Sequence, residues 1–143
     1  MHTVKTLLDN KGNALWSISP DASVYEALVL MAEKNIGALL VLEGAMLTGV
    51  ISERDYARKI ILKGKASREV PVREIMSSPV ITIPPSASLE DALSVMSNHH
   101  IRHLPVVAEG RILGILSMRD VMTAIIEKQD DTIRFFKDLA TDV

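Results

Sequence analysis

Two stretches of this sequence share a spacing that could hold a ligand: Gly49, Ser52 and Asp55 in GVISERD, and Gly114, Ser117 and Asp120 in GILSMRD. A glycine at a strand end lets backbone or ligand approach closely, because no side chain intervenes. A serine at a helix start stands among unpaired backbone N–H groups, where the dipole favours an anion. An ionised aspartate one turn in is acceptor-only, so its two oxygens can take both hydroxyls of a ribose cis-diol. Arg54 and Arg119 lie beside these aspartates and can supply cationic donors. The same Ser-x-x-Asp spacing is also that of a plain helix N-cap with an acidic third position. The arginines weigh on the ligand side. A cation in the first turn opposes the dipole at a cost of about 0.3–1 kcal/mol, and here that happens twice.

The elements that must position these residues are themselves duplicated. A shift of 65 residues superimposes 20–55 on 85–120 without a gap, with 13 of 36 positions identical. Upstream, VKTLL (4–8) echoes VREIM (72–76). Each copy reads as a short apolar strand (14–18, 80–83) running into a proline turn. Ser23 and Ser88 follow as N-caps, with Glu26 and Asp91 three residues on completing capping boxes. Val24, Ala27, Leu28 and Met31 then recur at helical spacing, as do Leu89, Ala92, Leu93 and Met96. ALLVLE and LPVVAE suit buried strands, and tight turns at 43–45 and 109–111 lead to a second strand in each copy. A last helix opens at Ser52 or Ser117, and Gly64 stops the first of the two.

The pattern predicts an α/β (α+β) protein made by tandem duplication of a β-α-β-β-α unit. Its two small sheets pack about a pseudo-twofold axis. The expected division is repeat 1 over 4–63, a polar linker over 64–71, repeat 2 over 72–128 and a helical tail over 129–143. The tail carries Ile125, Ile126, Ile133, Phe136 and Leu139 at or just before it, more apolar groups than a solvated tail needs. They pack either on their own domain or on a second subunit.

Composition removes several classes. The 143 residues are 48% hydrophobic but only 3% aromatic, so the core must be aliphatic. With no cysteine there is no disulfide, thiol nucleophile or cysteine-based metal site. A net charge of -2 argues against a binder of phosphate backbones. No apolar run is long enough to span a bilayer, and MHTVKTLLDNKG has no signal-peptide core, so a soluble cytoplasmic protein is expected.

The linked signatures SPDASVYEAL and PPSASLEDAL, HHIRHLPVV, GVISERD and GILSMRD resemble a pair of cystathionine-β-synthase (CBS) domains, a Bateman module, over roughly residues 4 to 128. The resemblance implies a regulatory, non-catalytic module that binds an adenosine ligand in clefts between its repeats. AMP, ADP, ATP or NAD(H) rank ahead of S-adenosylmethionine. It implies that Asp55 and Asp120 take the ribose, with phosphate near Ser52 and Ser117. Arg102 and His103 would serve the Asp55 cleft, while Gly37 and Ala38, at the matching positions, would leave room in the Asp120 cleft. Adenine would lie on Val80 and Ile81 at the first cleft and on Leu15 and Trp16 at the second. A homodimer and a regulated partner protein of unknown identity complete the reading. The alternative is a scaffold whose clefts stay empty.

Other chemistry finds too little. His99, His100 and His103 lack a converging acidic cluster, so no metal is expected. Ser52, His103 and Asp55 could form a hydrolase triad on paper, yet no Gly-x-Ser-x-Gly elbow is present. Neither a Gly-x-x-x-x-Gly-Lys-Ser/Thr loop nor a Gly-x-Gly-x-x-Gly turn occurs. The basic run KIILKGKASR is a helix end and linker rather than a nucleic-acid patch.

Overall fold

The computed structural model describes residues 3–12 and 14–141. They form two units: Leu15–Ile81, and the described residues of Met1–Ala14 together with Thr82–Val143.

The Leu15–Ile81 unit holds β1 (Ser17–Ile18), α2 (Val24–Lys34), β2 (Ala38–Glu43), β3 (Met46–Ser52) and α3 (Glu53–Tyr56), which continues as a π-helical stretch over Ala57–Ile61. A 3-10 turn at Val72–Glu74 follows. Its sheet has the order β1-β2-β3, with β1 parallel to β2 and β2 antiparallel to β3. The other unit holds α1 (Val4–Lys11), α4 (Leu89–His99), β4 (His103–Ala108), β5 (Arg111–Ser117) and α5 (Met118–Thr141), with a two-stranded antiparallel sheet.

Duplication is visible bond by bond. The Ser23 side chain accepts from Glu26 N–H while the Glu26 carboxylate accepts from Ser23 N–H, both at 3.1 Å. Ser88 and Asp91 repeat this at 3.0 and 3.3 Å. Each of these helices ends on a left-handed residue, Asn35 at φ 54° and His100 at φ 55°. Both hairpins carry a register shift at the same place, after Val41 and after Val106.

The lead-in segments exchange partners between the repeats. Val72 and Arg73 donate to the carbonyls of Ala22 and Pro20 at 2.8 and 3.0 Å, whereas their counterparts Val4 and Lys5 donate to Ala87 and Pro85 at 3.0 Å. VKTLL, which the sequence division placed in the first repeat, therefore packs in the unit of the second, and VREIM, placed in the second repeat, packs in the unit of the first. In each unit the lead-in valine is fully buried: Val72 lies in one core cluster with Met31, Leu39 and Ile51, and Val4 is buried as completely as Met96, Leu104 and Leu116 of its own unit.

The first strand of each copy is shorter than its sequence suggests. Only Ser17 and Ile18 of 14–18 pair in the sheet, and only Ile83 of 80–83 forms a bridge, to Val106. Pro84 and Pro85 follow Ile83 at once and have no N–H to extend the ladder. The tail does continue as helix: α5 runs unbroken through 128 and 129 to Thr141.

Candidate functional site

Both Ser-x-x-Asp motifs are helix starts on the last strand of their sheets. Ser52 caps α3: its hydroxyl accepts from Asp55 N–H at 3.2 Å, and Asp55 Oδ2 accepts from the N–H and hydroxyl of Ser52 at 2.9 and 3.1 Å. Ser117 and Asp120 repeat the exchange at 3.0 Å in each direction. The capping reading of this spacing is thus realised. It leaves open a ligand role for the same carboxylates, which stay 14% exposed at Asp55 and 29% at Asp120.

Each aspartate also meets a lysine that no motif announced. Lys59, one turn on from Asp55, sets its ammonium 3.3 Å from Oδ1 and donates to the Ile75 carbonyl at 2.8 Å. Lys11, from α1, donates to Asp120 Oδ2 at 2.6 Å and to the Ile115 carbonyl at 2.9 Å. The Asp55–Lys59 pair was legible as an i,i+4 spacing; Lys11 lies 109 residues from Asp120 and had no local signal. Burial pushes the Asp120 carboxyl up, but the Lys11 ammonium and the Ser117 backbone N–H outweigh it, so its pKa falls below the ordinary 3.8.

A carboxylate offers about four lone-pair directions. Asp120 is engaged by the Ser117 N–H, the Ser117 side chain and Lys11. Asp55 is engaged in the same way by the Ser52 N–H, the Ser52 hydroxyl and Lys59, so at either copy a diol has to share or displace one of these partners.

The remaining candidates sort by unit. Arg102 is exposed and its carbonyl accepts from Met118 N–H at 2.7 Å; His103 opens β4 opposite Ser117. At the corresponding place Gly37 accepts from Glu53 N–H at 3.0 Å, and buried Ala38 faces Ser52. Arg54 is half-buried and Arg119 exposed. Val80 and Ile81 are half-buried and lie outside any strand, and Leu15 is exposed. Trp16 has the Lys34 ammonium 4.2 Å above its ring, and its carbonyl accepts from Leu40 N–H at 3.2 Å. One face of its ring is therefore covered within its own unit.

With this geometry in hand, comparison with protein families is decisive: the CBS-domain model matches residues 13–62 and again 72–127. The chain belongs to the CBS-domain family. A CBS domain-containing protein of Bacillus subtilis, YhcV, is 33% identical over 118 residues, covering 82% of this chain and 84% of its own. The mitochondrial CBS domain-containing protein CBSX3 of Arabidopsis thaliana is 33% identical over 142 residues, covering 92% of this chain and 68% of its own. Among solved structures, a protein with CBS domains from Burkholderia ambifaria superimposes with a TM-score of 0.84 at 38% identity, covering 89% of this chain and 96% of that one.

The close approach that the CBS motif glycines allow is made here by the chain's own lead-in segments. A Cβ on Gly49 would stand 2.6 Å from Met76 Sδ, and one on Gly114 would run into the Leu8 methyls. Met76 and Leu8 are equivalent residues of the exchanged lead-ins, so each glycine makes room for the segment that packs over its strand. Beside Asp120 a groove of about 510 Å³ opens within one unit, edged by Thr6, Asn10, Lys11, Arg119, Thr123 and Glu127.

Lys11 gives a pH-dependent prediction. Asp120 has a depressed folded-state pKa, so its stabilisation is present above the ordinary value of 3.8 and is lost as pH falls through the folded value. In Lys11→Met, burial acts with less opposition and the Asp120 carboxyl titrates higher, as carbon-detected NMR would show. The Tm gap between wild type and variant is then full at neutral pH and narrows in acid. A gap independent of pH would refute the coupling.

Proposed function

We propose that this CBS-domain pair is a regulatory module that binds an adenosine nucleotide, AMP, ADP, ATP or NAD(H), and passes its occupancy to a partner protein. The observation that carries the reading is the pair of capped helix starts, each holding a part-exposed carboxylate next to an anion-accepting N-terminus. Asp120 and Asp55 take the ribose diol, Ser117 and Ser52 lie at the phosphate, and Arg119 and Arg54 add charge. The groove beside Asp120 falls within the volume range of small-molecule pockets. S-adenosylmethionine ranks below the nucleotides because its cationic sulfonium gains nothing from these arginines. The reading includes a homodimer and a cytoplasmic location; among the described residues no helix is long and apolar enough to cross a membrane.

One observation favours the alternative scaffold. Both aspartates already carry an internal lysine, which a ligand would have to share or displace. Thermal unfolding against AMP, ADP, ATP, NAD⁺, NADH, NADP⁺ and S-adenosylmethionine separates the two. A ligand at 100 times its Kd adds about 2.7 kcal/mol, a shift of several degrees. The sensor predicts a shift with at least one nucleotide; none at millimolar ligand, on protein free of carried-over nucleotide, favours the scaffold.

A further inference from the structure

The apolar groups of α5 fall into a seam. Met122, Ile126, Gln129, Ile133, Phe136 and Ala140 follow one another at alternating steps of four and three, the a/d spacing of a coiled coil. Its large members are open to solvent: Met122, Ile126, Ile133 and Phe136 are 47, 55, 53 and 63% exposed. The Lys128–Glu90 ion pair, 3.1 Å, ties the helix to α4, and from 129 to 141 every residue is exposed. Leu139 and Phe135 widen the apolar face on one side, with Phe135 set edge-on to Phe136.

We infer that the C-terminal half of α5 is the surface through which two copies of this chain pair, with the helices antiparallel. Charge selects both occupant and direction. Beside the seam, on the flank opposite Leu139, the charged residues are Asp130 and Lys137. An antiparallel pair brings this flank of one helix against the same flank of the other. With Ile133 packed on the partner's Phe136, Asp130 meets the partner's Lys137, and the twofold axis makes both contacts twice. Sliding the pair by one heptad instead sets Asp130 against the partner's Asp130, which repels. A parallel pair places Asp130 and Lys137 beside the partner's Ile125 and the partner's Thr132, where neither charge finds an opposite. A helix whose own two charges complement each other across a twofold is fitted to itself.

This takes up the self-association in the proposed function and is independent of nucleotide binding, which the melting experiment reads separately. The test is sedimentation equilibrium on the full chain. Wild type is expected to dimerise, and Phe136→Asp to be monomeric with unchanged circular dichroism. Lys137→Glu, which sets two acids together twice, should weaken the dimer about three- to tenfold. The double swap Asp130→Lys with Lys137→Asp restores it, and added salt reduces the effect of the single change. A wild-type monomer would overturn the inference, even one that bound lipid vesicles or another protein. So would a dimer indifferent to Phe136→Asp, or one that tolerates Lys137→Glu unchanged.

Discussion

AMP is expected to bind Asp120→Ala about 10- to 100-fold more weakly than wild type, the loss of roughly one hydrogen bond to a charged group at about 1.5–3 kcal/mol. The diol takes its place on this carboxylate by sharing or displacing a partner already there, such as the Lys11 ammonium. The loss could have a trivial origin, since Asp120 also receives the Ser117 N–H. Removing such a cap costs about 0.5–2 kcal/mol of stability. The ligand itself separates the two causes. On wild-type protein, 2′-deoxy-AMP should bind more weakly than AMP, because one hydroxyl is gone. On Asp120→Ala the two ligands should bind alike, since the group that told them apart is missing. A lost cap would weaken both equally and leave their ratio intact. The same cycle on Asp55→Ala reports the other copy, where a smaller ratio is expected because Asp55 is the less accessible carboxylate, 14% exposed against 29% for Asp120. Equal affinity of AMP and 2′-deoxy-AMP for wild type would remove the ribose role altogether.

How far the site could be read in advance follows from the range of the interactions that build it. Capping is local: Ser23 with Glu26, Ser52 with Asp55 and Ser88 with Asp91 are three residues apart, and their bonds form as spaced. The hairpins are local too, and the 65-residue offset fixed where both must turn. What escaped were contacts between segments far apart in the chain. The sequence suggested that each motif glycine admits a close approach of backbone or ligand, but it could not say that Leu8 would lie on Gly114, 106 residues away. The echo of VKTLL in VREIM announced equivalent lead-ins, yet nothing in either string says which repeat it covers. Lys11 was overlooked for the same reason. At the corresponding place of the lead-in the second copy has Pro79, and one turn after Asp120 it has Ala124 where the first has Lys59. Each aspartate thus obtains its lysine from a different element, and aligning the two copies hides the similarity.

That exchange of lead-ins carries the last prediction, which concerns Gly114 and Leu8. Leu8 is 5% exposed, and its methyls fill the space that a side chain on Gly114 would claim. Gly114→Ala should therefore cost about 1–3 kcal/mol, the usual penalty of forcing an extra group into a packed site. For a chain of this length that is a fall of several degrees in Tm. Leu8→Ala should cost about 2–5 kcal/mol through the cavity it leaves. The two losses cannot add, because the new methyl at 114 occupies part of the space vacated at 8. The double variant should therefore be more stable than the sum of the singles predicts, by about 0.5–3 kcal/mol, the range seen for residues in contact. The corresponding cycle at Gly49 and Met76 should show weaker coupling, since an unbranched thioether bends out of the way more readily than a leucine. Strict additivity in both cycles would mean that neither lead-in lies on its glycine. Coupling of Leu8 with Gly49 instead would mean that each repeat keeps its own lead-in. Coupling of Leu8 with Gly114 ties residues at opposite ends of the sequence into one packed site, on the segment that also delivers Lys11 to Asp120. Nucleotide affinity should then fall in Leu8→Ala as well, without any change to a residue that touches the ligand.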